Sequence, residues 1–279
     1  MASPDQGAIY LDACATAPLR PKSLERMLET QQRAWANPSS LHSFGVQAAE
    51  ALERSRTEIA NSLCCTPSDV VFTSGATESV HLAIHGLAAS RPPGRLVISA
   101  VEHPAVSGAA HQLTSQGWDL QEWPVDHHGR IRLELLDELL APPTAMVSLV
   151  WGQGEVGTLQ PLLEVAAACR ERHIPLHTDA TQVLSQGLPS WTTLPVDLLT
   201  ASAHKCGGPR GIGLLLTRPE LRSEMPPQLS GGGQEGGLRS GTESAVLAAG
   251  MASAFSEIEP CHPSRIARSG AGIADLRDQ

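Results

Sequence analysis

Short apolar runs alternate along the chain with longer stretches whose apolar residues recur at helical spacing. Segments 70–73, 95–99, 144–150, 174–178, 196–200 and 212–216 are rich in Val, Leu and Ile and read as buried strands. Segment 118–123 alternates like a strand, and 9–11 reads as a further short one. Helical spacing covers 21–34, 45–63, 78–90, 104–115, 131–140 and 161–172. Strand–helix alternation of this kind implies an α/β fold: a mostly parallel sheet covered by helices on both faces. Ligands of such sheets sit outside the carboxyl ends of the strands. The ends named here carry Ser74, Asp179 and Lys205. No internal repeat is visible, and the low-complexity patch is the glycine-rich segment 231–237.

Composition narrows the class. The 279 residues leave room for one large domain, alone or with a small one. Hydrophobic residues make up 41% but aromatics only 3%, so the core rests on aliphatic side chains. A formal net charge of −9 argues against non-specific binding to nucleic acid or to an anionic membrane. The N-terminus lacks the basic-then-apolar pattern of a secretory signal, and no apolar run approaches the roughly 18 residues of a spanning helix. The six cysteines form no C-x-x-C pair and no zinc spacing, which fits free thiols in a reducing, cytoplasmic setting. The Asp126-His127-His128-Gly129 run reads as a polar turn rather than a metal cluster.

Three features carry candidate chemistry. Lys205 follows an apolar strand, beside a histidine and ahead of glycines. An amine in a partly dry pocket loses its proton more readily and becomes a nucleophile for an aldehyde, although most lysines after strands are solvated. Asp179 ends another apolar strand. It reads alone as a helix N-cap, and with Lys205 as the acid that pairs with a pyridine nitrogen. Ser74-Gly75-Ala76-Thr77 joins a strand to a helix, where free N–H groups, the helix dipole and two hydroxyls form an anion site.

Six motifs occur in a fixed order: Asn37-Pro38-Ser39-Ser40-Leu41-His42, Thr73-Ser74-Gly75-Ala76-Thr77-Glu78-Ser79, Glu102-His103, His177-Thr178-Asp179-Ala180-Thr181-Gln182, Ser202-Ala203-His204-Lys205, and Gly231 through Thr242. This set resembles the cysteine desulfurases of the class V aminotransferase group, fold-type I enzymes that use pyridoxal 5'-phosphate. The resemblance implies a large cofactor-binding domain over 1–258 and, over 259–279, the start of a small C-terminal domain largely absent from the chain. It implies that Lys205 is the Schiff-base lysine, that Asp179 pairs with the ring nitrogen, and that Gln182 bonds the cofactor's phenolic oxygen. His103 would stack on the ring and assist proton transfer. Ala76 and Thr77 would hold the phosphate, with Ser202 and His204 adding donors. Thr242 would reach the phosphate of the other subunit of a homodimer. Ala15 and Thr16 would lie near the substrate. The implied reaction converts L-cysteine to L-alanine and passes sulfur to an acceptor thiol, as in iron–sulfur cluster assembly and other sulfur metabolism. No nucleic acid or membrane partner is implied.

The chain departs from that pattern in places. Gln153-Gly154-Glu155 stands where the family has Asn-Asn-Glu, which leaves open whether Gln153 substitutes through its amide or the contact is lost. Val80 replaces a common asparagine. The family's persulfide loop and its carboxylate-binding arginine are both expected beyond Thr242, where only Cys261 is found. Cys206 tempts as a carrier, but neighbours in an extended segment point oppositely, so it is expected to face away from the cofactor. Cys14 lies beside Ala15, with no activating neighbour in sequence. The residues also remain compatible with a selenocysteine lyase, an aminotransferase or a catalytically silent scaffold. A nucleotide-binding reading is weak, since no P-loop or well-placed G-x-G-x-x-G is present.

Overall fold

The computed structural model describes residues 9–260. Seven strands are present: β1 (Val70–Thr73), β2 (Arg95–Ser99), β3 (Asp119–Trp123), β4 (Thr144–Val150), β5 (Leu176–Asp179), β6 (Leu198–Ser202) and β7 (Gly213–Thr217). They form one sheet in the order β1-β7-β6-β5-β4-β2-β3. Only β7 runs against its neighbours β1 and β6. The mostly parallel sheet anticipated from the alternation is therefore present, and the parallel strands bring their carboxyl ends to one edge.

Helices cover both faces. They are α1 (Pro21–Arg33), α2 (Ser43–Ser62), α3 (Ala76–Ala89), α4 (Pro104–Thr114), the single turn α5 (Leu136–Leu139), α6 (Leu162–Glu171), α7 (Pro219–Glu224) and α8 (Ala245–Ser256). Side chains alternate across the strands, as the pleat requires. Val70 and Phe72 join the core that includes Ile59, Trp191 and Phe255, whereas Val71 joins a second core with Ile84, Leu87 and Leu113. β5 and β6 are buried along their whole length, including the polar side chains of His177, Thr178, Asp179, Thr200 and Ser202.

Four expectations need correction. Residues 9–11 form no strand: Ile9 and Leu11 are exposed and pair with no sheet edge. The helix expected over 131–140 is a 3-10 turn, Leu133–Leu135, followed by α5, and it ends before Pro142-Pro143. β6 lies two residues beyond the expected 196–200, because Asp197 caps β5 by accepting the Leu176 N–H at 2.8 Å. β5 likewise runs to Asp179 itself. The pattern also did not anticipate α7 and α8. α8 is apolar on all sides because it is buried, packed on α1 and α2. The segment assigned to a second domain, 259–279, lies outside the described residues from Cys261 onward. Among the described residues, no helix is long and apolar enough to cross a membrane.

Candidate active site

A cavity of about 1230 Å³ opens at the carboxyl edge of the sheet. Asp179 and Lys205 both line it. β5 and β6 are parallel neighbours with Asp179 opposite Thr200, so the aspartate stands at one strand tip and Lys205 just past the next. Asp179 is 6% exposed and accepts the Thr181 N–H at 2.9 Å. Burial pushes its carboxyl above the ordinary range, opposed by the Thr181 bonds and by the charges of His103 and Lys205.

Lys205 lies in the 3-10 turn Ala203–Cys206 rather than in an extended segment. Successive side chains there splay by a third of a turn. Lys205 reaches the cavity, where its Nζ donates to the carbonyls of Cys14 and, at 2.9 Å, Ala15. Cys206 packs into the core at 2% exposure, and burial pushes its thiol up to about 12. It does face away from the cavity, but for a helical reason, not an extended one.

The third feature joins the first two. Ser74, Gly75, Ala76 and Thr77 line the same cavity at the start of α3. The N–H groups of Ala76 and Thr77 lie in a first turn with no preceding helical carbonyl. Close packing sets this cradle: a Cβ at Gly213 would stand 2.6 Å from the carbonyl carbon of Gly75 and 2.7 Å from the Ala201 oxygen. Only glycine lets β7 press against the turn. Ser202 is buried with its Oγ beside Gly75. Glu78 braces the turn, accepting the Ser74 N–H at 2.5 Å and Arg239 Nε at 2.8 Å. Burial opposes its ionisation, yet these hydrogen bonds hold its carboxyl below the usual range.

His103, Gln182, His204 and Ala15 complete the candidates that line the cavity. His103 caps α4, accepting the Ala105 N–H at 3.1 Å. Gln182 Nε2 donates to the Cys14 carbonyl at 2.9 Å. Thr16 stands behind the cavity wall, 3.1 Å from His204 Nδ1. Thr242 does not line this cavity; it borders an adjacent cleft with Ser74 and Arg239. Gln153 does not offer its carbonyl oxygen to the cavity, because that atom accepts the N–H groups of Glu155 and Val156. At Gly154 a Cβ would stand 2.7 Å from Gln182 Nε2, so glycine here makes room for that amide.

Sequence reasoning gave Glu102 no role. Its Oε1 accepts from Ser99 Oγ at 2.8 Å and from Val150 N at 2.6 Å, tying the tips of β2 and β4. Its Oε2 is buried without a partner. Burial, with Asp179 nearby, pushes the carboxyl up to about 8. An acid next to a histidine was visible in the sequence, but its burial was not.

The class-V aminotransferase family model matches residues 9–275. The chain belongs to this family. It is 37% identical over 249 residues to the mitochondrial cysteine desulfurase of Saccharomyces cerevisiae, covering 88% of this chain and 50% of that protein. It is 38% identical over 250 residues to the cysteine desulfurase IscS of Neisseria meningitidis, covering 88% and 62%. The chain thus spans about half the length of the mitochondrial relatives it matches. Among solved structures it superposes on a NifS-like protein with TM-score 0.85 and 31% identity, covering 95% of this chain and 71% of that one. It superposes equally well, at 36% identity, on SspA in complex with cysteine, covering 90% and 73%. Family members use pyridoxal phosphate. The residues present fit that group: an amine, an anion cradle and a buried carboxylate awaiting a cation share one cavity.

Proposed function

We propose that the chain is the cofactor-binding part of a pyridoxal phosphate-dependent cysteine desulfurase, converting L-cysteine to L-alanine and passing sulfur to an acceptor thiol. The observation that carries this reading is the meeting of Lys205, Asp179 and the α3 turn in a single cavity. Bound pyridoxal phosphate supplies an electron sink for charge developing at the substrate Cα. Lys205 would hold the cofactor's aldehyde and, once the substrate amine has displaced it, would be the amine placed to move the Cα proton. Asp179 keeps a proton on the ring nitrogen. Ala76, Thr77 and Ser202 bind the phosphate, and Gln182 orients the ring oxygen. His103, at the N-terminus of α4 and lining the cavity, would cover the ring and exclude water. The cysteine bound in a structural neighbour and the desulfurase relatives support the substrate. A homodimer accords with Thr242, which stands outside its own chain's cavity, free to serve a partner's. Sedimentation of the full chain tests that part; a monomer at working concentration rejects it.

The central reading is tested by adding pyridoxal phosphate, reducing with borohydride and mapping the modified peptide. Pyridoxyl on Lys205, absent from Lys205→Ala, is the expected result. A colourless protein, or label spread over surface lysines, rejects it. Incubation with L-cysteine, selenocysteine or an amino acid with a keto acid, followed by product analysis, separates desulfuration from lyase and aminotransferase chemistry.

A further inference from the structure

Five carboxyl-bearing side chains line the cavity, against two side chains of fixed positive charge, Lys205 and Arg210. Burial favours the protonated form of Glu102 and Asp179, but the carboxylates of Asp12, Glu78 and Glu155 repel an anionic ligand, so a cation is needed to offset them where one enters. Lys205 is occupied by two backbone carbonyls. Arg239, near the cradle, is bound to Glu78. Arg210 is different. Among the described residues its guanidinium makes no hydrogen bond and no ion pair, although it lines the cavity.

Its backbone is also placed with care. Arg210 precedes Gly211, which borders a cleft with Ser74, and the chain then enters β7 with Gly213 packed on Gly75. The Arg210 backbone thereby leads into the strand that packs on the start of α3, while its side chain is exposed at the cavity mouth and also borders a groove with Tyr10 and Thr16. Its charge reaches His204, whose imidazole burial, Lys205 and Arg210 together hold neutral to lower pH than usual. A planar fork of donors at the cavity mouth matches the paired oxygens of a phosphate or carboxylate.

We propose that Arg210 is an anion-recognising residue of this cavity, binding an oxyanion of the ligand: the phosphate of the cofactor or the carboxylate of the amino-acid substrate. This rests on the cofactor reading above for the identity of the ligands, but not for the existence of the anion site. A charge-assisted hydrogen-bond pair of this kind changes affinity by about tenfold to a hundredfold.

The test compares full-length wild type, Arg210→Gln and Arg210→Lys. Apo protein is titrated with pyridoxal phosphate and with pyridoxal, which lacks the phosphate. Loaded protein is titrated with L-cysteine and with cysteamine, which lacks the carboxylate, following the cofactor absorbance. Arg210→Gln is expected to weaken the anion-bearing member of one pair by about tenfold or more while its anion-free counterpart changes less than about twofold. The affected pair identifies which anion is bound, and Arg210→Lys recovers part of the loss. Equal shifts in both members of both pairs overturn the assignment. Inorganic phosphate alone is titrated into apo protein as a third arm. If wild type takes up no pyridoxal phosphate, the cofactor reading fails, and the phosphate arm still decides Arg210. Weaker phosphate binding in Arg210→Gln sustains the assignment, and binding that is absent or unchanged overturns it.

Discussion

Asp179 and Cys14 face one cavity from two differently built walls. Asp179 stands on a strand buried along its length, its backbone laddered to β4 and β6 and its carboxylate fixed by Thr181. Cys14 belongs to an exposed strap, residues 9–17, with no regular secondary structure. The strap is laced by single bonds: Tyr10 Oη donates to the carbonyls of Asp12 and Thr16 at 2.8 Å, and Ala17 N donates to the His204 carbonyl at 3.0 Å. Ile9 and Leu11 remain more than 80% exposed beside it. The sheet wall is stabilised by burial, whereas the strap depends on polar contacts to Lys205, Gln182 and His204. One wall is tied to the sheet, and the other to the side chains of the cavity itself.

Substitutions can separate the two walls. The largest effect on folding is expected at Arg56, whose guanidinium bonds both oxygens of Glu235 at 2.7 Å. Glu235 is buried and accepts the Phe72 N–H of β1, so this pair clamps the glycine-rich segment onto the sheet. Arg56→Met strands a buried charge and should cost about 3–5 kcal/mol in urea unfolding. A loss below about 1 kcal/mol would show that the sheet wall does not depend on the clamp.

Next is Gly154→Ala. Its Cβ must displace the Gln182 amide, a flexible group, so stability should fall by only about 1 kcal/mol while the Gln182–Cys14 bond is lost. Faster proteolysis within 9–17 would register the freed strap, and an unchanged rate would detach Gln182 from it.

A third test uses pH. Glu102 binds its proton more tightly when folded, up to about 8, than its ordinary value of 4.5. Between those values the folded state holds more protons than the unfolded one, so this contribution is full at lower pH and is lost as pH rises toward 8. Glu102→Gln should flatten that decline in thermal unfolding of the apo protein; an identical slope in the variant would remove Glu102 as its source. The smallest effect is expected for Tyr10→Phe, at most about 1 kcal/mol, because its hydroxyl is exposed. A larger loss would place the strap within the cooperative core.

Much of the sheet wall was legible in the sequence. Apolar runs marked β1, β4 and β6, and the polar residues at or just past the ends of β1, β5 and β6 marked the cavity edge. The strap was misread because 9–11 has strand-like side chains but no edge to join. α8 escaped because a helix buried on every side carries no amphipathic period. Arg210 and Glu102 stood in plain view, yet nothing in their neighbours told a guanidinium at a cavity mouth from one on open surface, or a buried carboxyl from an exposed one.

Local order along the chain by itself determined the strand–helix alternation, the tips that would carry chemistry and the ordered motifs of the family. These depend on side-chain period and on neighbours close in sequence. Tertiary structure alone decided that the Cys14 and Ala15 carbonyls meet Lys205, that Gly154 makes room for Gln182, and that Glu102 keeps its proton. Each of those depends on burial and on partners far apart in the chain, distances that only the closed sheet creates.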